Sequence, residues 1–329
     1  PFFNEKAVCE LGKNLDKSKK LHRSGTEYAL KVLKRFSEIL NVSKITNLKI
    51  IATAVLREAT DTKPFINEVE KLFKTKINIL SGEEEAECSA EGVKIGFENV
   101  NGLVADLGGG SLELARVENN IVTNKTSLPV GVLRLLNNPI VKKRNLAKYI
   151  KKLLREEKWL SKKKFNNLYL VGGTWRALFK LHLFQNNHPV HIIHQYSIDN
   201  NVLSKFVEKI SSFNKSKLKT VEYISKSRTP YLPYSCIILD EIMRVTNPRN
   251  IICSISGLRE GSLSIDYFKD VKESEIFHKA LENIAKKRGD LGSNYKKYYD
   301  FIQPVFEGNE HFNKKLLYLA CVLSHMDWG

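Results

Sequence analysis

The chain has 329 residues, 42% of them hydrophobic, and its 53 Lys and Arg against 36 Asp and Glu give a formal net charge of +17. This length predicts two or three domains, and the apolar fraction excludes a disordered or fibrous chain. No stretch approaches about 20 uninterrupted apolar residues, so no transmembrane helix is predicted. The charge favours an anionic partner such as nucleic acid, acidic lipid or polyphosphate, although a merely solvated basic surface would give the same excess.

Apolar periodicity predicts alternating helices and strands in the first 130 residues. The first element is an amphipathic helix over 21–41, where Ser24 and Glu27 have capping-box spacing. The elements that follow are a strand at 48–54, a helix at 64–74, a strand at 77–80, a helix from Ser81, and strands at 102–106, 111–117 and 121–128. Strands that alternate with helices in this way predict an α/β sheet.

The same alternation continues beyond residue 130. Strands at 167–171 and 251–255 each lead through a glycine-containing turn into a helix, and beyond about residue 270 only helices are predicted, such as 273–287 and 311–323. There Tyr295, Tyr298 and Tyr299 have the spacing of a packing surface on one helix. We therefore expect an α/β domain at 1–120, a second one at 121–268 and a helical segment at 269–329.

The most informative segment is a run of three glycines, Gly108, Gly109 and Gly110. Consecutive glycines after a strand let backbone N–H groups converge on an anion, with no Cβ atom in the way. The spacing matches neither a Walker A loop nor a dinucleotide fingerprint. Strand alternation places Ser111 and Glu113 on one face, about 7 Å apart, with Asp106 across the turn. Two carboxylates beside an anion cradle are typical of a Mg²⁺ site, whereas the alternative is a plain glycine-rich hairpin with solvated acids.

Acidic residues also cluster at the start of the helix after Ser81. If Glu84 forms a capping box with Ser81, Glu83 and Glu85 remain available, and an ionised carboxylate there could act as a general base toward water. Acids are common at helix starts because they complement the helix dipole, so a purely structural role is the alternative.

A third segment ends the predicted strand at 48–54 and contains Arg57. A guanidinium group can bind a phosphate with two parallel hydrogen bonds. The alternative is a surface ion pair between Arg57 and Glu58 or Asp61.

Together these three segments resemble the Ppx/GppA phosphatases, the family of exopolyphosphatase and guanosine pentaphosphate phosphohydrolase. The matching stretches occur in the family's order, at 52–59, 81–86, 106–113, 127–131, 172–174, Arg228 with Leu232-Pro233, and 257–261. The resemblance implies the α/β fold of the actin/Hsp70/sugar-kinase type, with two ribonuclease H-like domains and the site in the cleft between them. It also implies that the helical C-terminal segment is similar to HD phosphohydrolases.

The resemblance also implies roles for individual residues. Glu85 would be the catalytic base, and Asp106 and Glu113 would belong to the metal and phosphate site, with Mg²⁺ as the cofactor. The substrate phosphates would contact Arg57, Gly108, Gly109, Gly110 and Ser111. The expected reaction is hydrolysis of the terminal phosphoanhydride of inorganic polyphosphate, which releases orthophosphate. A guanosine pentaphosphate 5′-phosphohydrolase and a non-catalytic polyphosphate- or nucleotide-binding regulator stay open as alternatives, and the family suggests a homodimer.

The sequence departs from the family pattern at three places. Nothing in residues 1–329 matches the family's first phosphate loop, of the Asp-x-Gly-Ser-Asn type, so we expect a chain that lacks the N-terminal strand-loop and part of the C-terminus, and whose own activity is therefore open. Glu87 stands where relatives often have arginine, which removes one positive charge from the cleft.

Several other clusters are weaker candidates. Basic residues that could follow a polyphosphate chain, although most are expected on solvated helix faces, are Lys142–Arg144, Lys148, Lys151, Lys152 and Lys162–Lys164. A metal site at His188, His191 and His194 is disfavoured, because no cysteine or carboxylate accompanies them. His325 and Asp327 are more typical of a terminal helix face than of an HD pair. Five scattered cysteines without a Cys-x-x-Cys pair argue against disulfides and a cysteine-built zinc site, and together with the absence of a signal peptide they predict a cytoplasmic protein with no membrane partner.

Overall fold

The computed structural model describes residues 4–137, 143–161, 164–267, 295–306 and 313–323. Packing contacts divide the chain into two compact units, Pro1–Ser264 and Ile265–Gly329. The first unit combines helices with two sheets, whereas the described part of the second unit is helical.

The N-terminal part of the first unit is built on a small parallel sheet. Its elements are α1 (Leu15–Ser18), α2 (Arg23–Val42), β1 (Ile50–Ala52), α3 (Ala54–Glu58), α4 (Lys63–Phe73), β2 (Ile77–Ile79) and α5 (Gly82–Ile95). The two strands pair in parallel, and α3 and α4 supply the crossover that parallel pairing requires. Ala29 of α2, Leu56 of α3 and Phe65 and Val69 of α4 form the buried core of this part.

Helix starts differ in how they are capped. The capping box predicted at Ser24 is wrong, because α2 begins one residue earlier and the Ser24 hydroxyl lies 3.2 Å from His22 Nδ1. The capping box of α5 is confirmed: Ser81 Oγ accepts from the Glu84 amide at 3.2 Å, and a Glu84 carboxylate oxygen accepts from the Ser81 amide at 2.7 Å.

The larger sheet has six strands in the order β5-β4-β3-β6-β8-β7. The strands are β3 (Gly102–Leu107), β4 (Leu112–Glu118), β5 (Ile121–Leu128), β6 (Asn167–Val171), β7 (Ser197–Asp199) and β8 (Asn250–Cys253). The strands β3, β6 and β8 run parallel, whereas β4 and β5 form an antiparallel meander with β3 and β7 is antiparallel to β8. The strand predicted at 111–117 therefore exists, and the glycines 108–110 form the turn between β3 and β4.

Helices cover both faces of this sheet. The α-helices between residues 132 and 267 are α6 (Val132–Asn137), α7 (Lys143–Glu156), α8 (Lys158–Ser161), α9 (Gly173–Gln185), α10 (Asn200–Ser211), α11 (Lys215–Lys219), α12 (Leu232–Thr246) and α13 (Leu258–Tyr267). One face carries Leu112 and Leu114, which join the large core around Trp175 of α9. On the opposite face, Val104 and Ala115 pack against the small residues of α5. The period-2 assignment of β4 to two faces is therefore confirmed.

The domain boundary predicted at residue 120 lies within the six-stranded sheet of the structure. It falls in the turn of the β4–β5 hairpin, where Asn119 and Asn120 have positive φ angles of 50° and 62°. Two successive residues with positive φ are typical of a tight hairpin turn rather than of a linker. Since β3 also pairs with β6, the glycine-loop hairpin belongs to the same sheet as the region 121–268.

The described part of the second unit consists of α14 (Tyr295–Ile302), a 3₁₀ turn (Gln303–Phe306) and α15 (Lys314–Leu323). The rings of Tyr295 and Tyr299 lie 5.2 and 5.8 Å from that of Tyr318, in agreement with the predicted packing surface. The predicted helix at 273–287 and the pair His325 and Asp327 lie outside the described residues, and the likeness to HD phosphohydrolases stays a prediction. No described helix is both long and apolar enough to cross a bilayer.

Candidate active site

The glycine loop, residues 108–110 between β3 and β4, has its carbonyl groups fixed by the start of α6. The Val132 amide donates to Gly108 O at 3.2 Å, and the Leu133 amide donates to Gly109 O at 2.9 Å. In a trans peptide the N–H group points away from the C=O group. The amides of Gly109 and Gly110 therefore point away from α6, and none of the described residues accepts a hydrogen bond from them.

Close packing explains why this loop is glycine-rich. A Cβ atom on Gly109 would lie 2.7 Å from a Leu133 methyl group, and one on Gly110 would lie 3.2 Å from the Ala54 Cβ. A Cβ atom on Gly131 would overlap the Gly109 carbonyl oxygen, which accounts for the glycine in the matched stretch 127–131. The contact with Ala54 places the loop beside the start of α3.

Strand alternation brings two carboxylates to the α5 face of the sheet. Asp106 and Glu113 are direct partners in the β3–β4 ladder, next to the pair Val104 and Ala115 that packs against α5. Ser127, the β5 partner of Glu113, lies against Gly82 in the first turn of α5. Asp106 accepts a hydrogen bond from Ser89 Oγ of α5 at 2.6 Å.

Glu113 is only 4% exposed and hydrogen-bonds Ser127 Oγ at 2.9 Å as well as the Ser111 hydroxyl. Burial raises the pKa of Glu113 to about 8, and the neighbouring carboxylates of Asp106 and Glu85 act in the same direction against these hydrogen bonds.

The pKa of Asp106 is shifted in the same direction as that of Glu113. Burial raises the pKa of Asp106 and the carboxylate of Glu260 adds to the shift, whereas the Ser89 hydrogen bond and the Arg176 guanidinium oppose it. The backbone of Gly172, whose φ is 108°, also lies close to Asp106. A Cβ atom added to Gly172 would be 3.3 Å from an Asp106 carboxylate oxygen.

Glu85 points into the same site from the first turn of α5. The capping box occupies Glu84, Glu83 is exposed, and Glu85 is 5% exposed. Its carboxylate pairs with Arg57 Nη1 and accepts from the Ala54 amide. Burial raises the pKa of Glu85, Arg57 opposes this, and Asp106 adds to it. The structure thus brings Glu85, Asp106 and Glu113 into one electrostatically coupled group beside the glycine loop.

Arg57 does not form the surface ion pair that was its alternative assignment. Its Nη1 atom donates to the Leu80 carbonyl at 2.6 Å and to Glu85. Asp61 instead accepts from the Leu21 amide at 2.8 Å, and Glu58 pairs with Arg134.

Four residues of this site carry no role in the sequence analysis: Ser89, Ser127, Arg134 and Arg176. Two of them could have been identified from the sequence. Ser89 lies four residues after Glu85 and thus on the same face of α5, and Ser127 opens one of the matched stretches. Nothing in the local sequence indicates that Arg134 contacts the glycine loop or that the charge of Arg176 acts on Asp106. Both effects depend on the packing of α6 and α9.

The weaker clusters do not join the site. His188 bonds the backbone of Val190, His191 packs on Phe184 at 4.6 Å and His194 lies 5.3 Å from Phe97. Within the described residues, no group of three or more His, Cys, Asp or Glu side chains could hold a metal ion.

The charged candidates outside the site also take ordinary positions. Glu87 pairs with Lys125 at 2.7 Å. The side chains of Lys148, Lys151, Lys152 and Lys164 are exposed, as expected of solvated faces. Nothing is described for the side chains of Lys142–Arg144, Lys162 and Lys163.

The sequence of the chain is similar to those of several known proteins. The chain is 29% identical over 260 residues to the bifunctional 3-dehydroquinate synthase/phosphatase of Fusobacterium nucleatum, covering 73% of the chain and 38% of that protein. It is 37% identical over 134 residues to the guanosine-5′-triphosphate,3′-diphosphate pyrophosphatase of Aeromonas hydrophila, covering 40% of the chain and 27% of that protein. The chain thus spans well under half the length of these relatives.

Two solved structures share the fold. The Aquifex aeolicus member of the Ppx/GppA family has a TM-score of 0.68 at 20% identity, over 81% of this chain and 89% of that one. An exopolyphosphatase from Cytophaga hutchinsonii has a TM-score of 0.72 at 19% identity, over 80% of this chain and 89% of that one. These similarities confirm the predicted α/β fold of the actin/Hsp70/sugar-kinase type.

The model of the Ppx/GppA phosphatase family matches residues 1–267, which include both sheets and every residue of the site. The chain therefore belongs to the Ppx/GppA phosphatase family.

Proposed function

We propose that this protein hydrolyses the terminal phosphoanhydride bond of inorganic polyphosphate and releases orthophosphate. The observation that carries the proposal is the convergence of a buried carboxylate, Glu85, with the glycine loop and with Asp106 and Glu113 at one end of the β3–β4 hairpin. A hydrolase needs a base for water and neutral donors for the phosphoryl oxygens, and this site offers both.

Glu85 is the group best suited to act as the base. Burial raises its pKa toward neutrality, where a general base is most effective, and Arg57 and the Ala54 amide hold its carboxylate in place. In this role Glu85 orients a water molecule for in-line attack on the terminal phosphorus and accepts its proton. The contacts described for Arg57 both use Nη1, which leaves Nη2 and Nε to donate to a substrate phosphate.

The amides of the glycine loop supply the anion cradle. The Gly109 and Gly110 N–H groups point away from α6, and the next residue, Ser111, hydrogen-bonds Glu113 through its hydroxyl. Such preorganised donors stabilise charge that spreads over phosphoryl oxygens without adding a formal charge to the site.

The donor set also fits a divalent cation. Asp106 and Glu113 are adjacent oxygen donors whose pKa values are both raised, so a cation would offset the cost of ionising them. Mg²⁺ is commonly held by one or two carboxylates together with substrate phosphate and water, so a cluster of three side chains is not required. When bound, Mg²⁺ would neutralise negative charge on the transferred phosphoryl group.

A second candidate function is hydrolysis of guanosine pentaphosphate at the same site. It is supported by the 37% identity, over 134 residues, to the Aeromonas pyrophosphatase. Both reactions break a terminal phosphoanhydride, so the residues proposed above would serve either substrate. The homodimer and the cytoplasmic location stay predictions.

The test compares phosphate release from long-chain polyphosphate and from guanosine pentaphosphate, with Mg²⁺ present. Glu85→Gln should lower turnover by about 100- to 10,000-fold while substrate binding, measured by calorimetry, changes little. Glu83→Gln, an exposed neighbour on the same helix turn, is the matched control and should retain activity.

The outcomes separate the candidates. Faster release from polyphosphate supports an exopolyphosphatase, and faster release from guanosine pentaphosphate supports the second candidate. Binding of either substrate without any release would indicate a non-catalytic regulator. Equal loss of binding and turnover in Glu85→Gln would contradict its assignment as the base.

A further inference from the structure

Arg134 of α6 connects the glycine loop to two elements of the N-terminal part. Its Nε donates to the Gly110 carbonyl at 2.8 Å, and its Nη2 donates to both carboxylate oxygens of Glu58 at 2.6 and 2.5 Å. Its Nη1 lies 3.0 Å from a carboxylate oxygen of Asp16. The guanidinium thus uses all three of its nitrogens, and its side chain is only 16% exposed.

The contact with Gly110 completes the hydrogen bonding of the loop. The amides of Val132 and Leu133 already bind the two preceding carbonyl groups, so Arg134 occupies the third. A cation on the Gly110 carbonyl polarises the peptide bond between Gly110 and Ser111 and makes the Ser111 N–H a stronger donor. In this trans peptide the Ser111 N–H points away from Arg134, as the Gly109 and Gly110 amides point away from α6, so Arg134 acts on a third amide of the loop.

The contact with Glu58 ties the same guanidinium to α3. Glu58 follows Arg57 in the chain, and Arg57 holds the carboxylate of Glu85. One bidentate ion pair between Arg134 and Glu58 therefore fixes the position of the helix that carries Arg57 relative to the glycine loop. The planar fork of arginine suits this geometry, whereas the single ammonium of lysine cannot satisfy three separate acceptors in the same directions.

We infer that Arg134 is a positioning residue that sets the distance between the Arg57–Glu85 pair and the glycine loop. It also strengthens the Ser111 amide as a hydrogen-bond donor to an anion. The inference rests on the proposed phosphoanhydride hydrolysis for its kinetic test. Its effect on the Ser111 amide does not depend on that proposal.

The experiment compares Arg134→Gln and Arg134→Lys with Arg116→Gln in the full chain. Arg116 is a suitable control because it is also buried, at 8% exposed, and also pairs with a glutamate, Glu118, at 2.6 Å, but lies at the far end of β4. We expect kcat for polyphosphate to fall about 10- to 100-fold in Arg134→Gln, as for loss of a charged hydrogen bond, with KM changed far less. Arg134→Lys should recover only part of the loss, and Arg116→Gln should keep wild-type kinetics.

Two further readouts distinguish positioning from a general loss of structure. In Arg134→Ala, added guanidinium at millimolar concentration should raise kcat, whereas ammonium at the same ionic strength should not. In ¹⁵N-labelled protein, the Ser111 amide proton should shift upfield in Arg134→Gln and not in Arg116→Gln.

The result that would overturn the inference is an equal loss of kcat in Arg134→Gln and Arg116→Gln, or a Ser111 amide that does not respond to Arg134. If the wild-type chain releases no phosphate at all, the proposed function fails, and the Ser111 amide still decides whether Arg134 acts on the loop.

Discussion

Replacement of Glu113 by glutamine should stabilise the protein, and the gain should grow with pH. The carboxyl group is 4% exposed, and its pKa in the folded chain is about 8, against 4.5 for an exposed glutamate. Between these values the folded chain keeps a proton that the unfolded chain has released. The stability that Glu113 contributes is therefore complete below pH 4.5 and is lost as the pH rises through about 8.

The size of the effect follows from linkage. When the folded chain binds one proton more than the unfolded chain, the free energy of unfolding changes by about 1.4 kcal/mol per pH unit. Glutamine cannot ionise. The gain in the free energy of unfolding of Glu113→Gln over the wild-type chain should therefore rise from under about 1 kcal/mol at about pH 5 to about 4 kcal/mol at about pH 8. The amide oxygen of glutamine can still accept the hydrogen bond from Ser127 Oγ, which limits other changes.

Urea unfolding followed by tryptophan fluorescence, in buffer without divalent cations, measures this difference across the pH range. Glu83→Gln is the control, because its side chain is exposed, and it should leave the pH profile of the wild-type chain unchanged. A gain that is equal at both ends of the range, or a loss at high pH, would show that the folded protein does not oppose ionisation of Glu113.

Two further substitutions test packing and an unsatisfied carboxylate. Gly131→Ala should displace the glycine loop, because its Cβ atom would overlap the Gly109 carbonyl, and it should lower the free energy of unfolding by about 1–3 kcal/mol. Gly12→Ala is the control and should lower it less, because its Cβ atom meets only the Val55 side chain. Urea unfolding measures both values. Glu241 of α12 is 8% exposed, its Oε2 has no hydrogen-bond partner among the described residues, and burial raises its pKa. Glu241→Met should therefore raise the free energy of unfolding by about 1–2 kcal/mol at high pH and by less at low pH, and a loss at high pH would contradict this reasoning.

The parts of the fold that could be predicted are those governed by local patterns. The β3–β4 hairpin, its glycine turn and the two faces of β4 follow from period-2 alternation, and the start of α5 follows from the Ser81 and Glu84 capping box. The same local approach misplaced the start of α2, because serine and glutamate at capping-box spacing also occur one residue inside a helix.

The parts that could not be predicted depend on strand order and on packing between distant elements. The alternation of strands and helices does not reveal that β3 pairs with β6, which lies more than 60 residues further along the chain. The convergence of Glu85 with Asp106 requires α5 to pack on that sheet, and only the family resemblance implied it. Arg134 reaches Glu58 across 76 positions, and no local pattern records such a contact.

The basic surplus of the whole chain and the acidic side chains of the site contribute in different ways. The chain has a net charge of +17, but the site holds Glu85, Asp106 and Glu113. The surplus of lysine and arginine acts at a distance and would raise the rate of encounter with the proposed polyanionic substrate. One close cation, Arg57, already opposes the rise in the pKa of Glu85, and each further cation would lower that pKa more and weaken Glu85 as a base. Backbone amides avoid this conflict, because they bind an anion without carrying a net charge, and we infer that this is why a glycine loop rather than a lysine cluster lies beside the carboxylates.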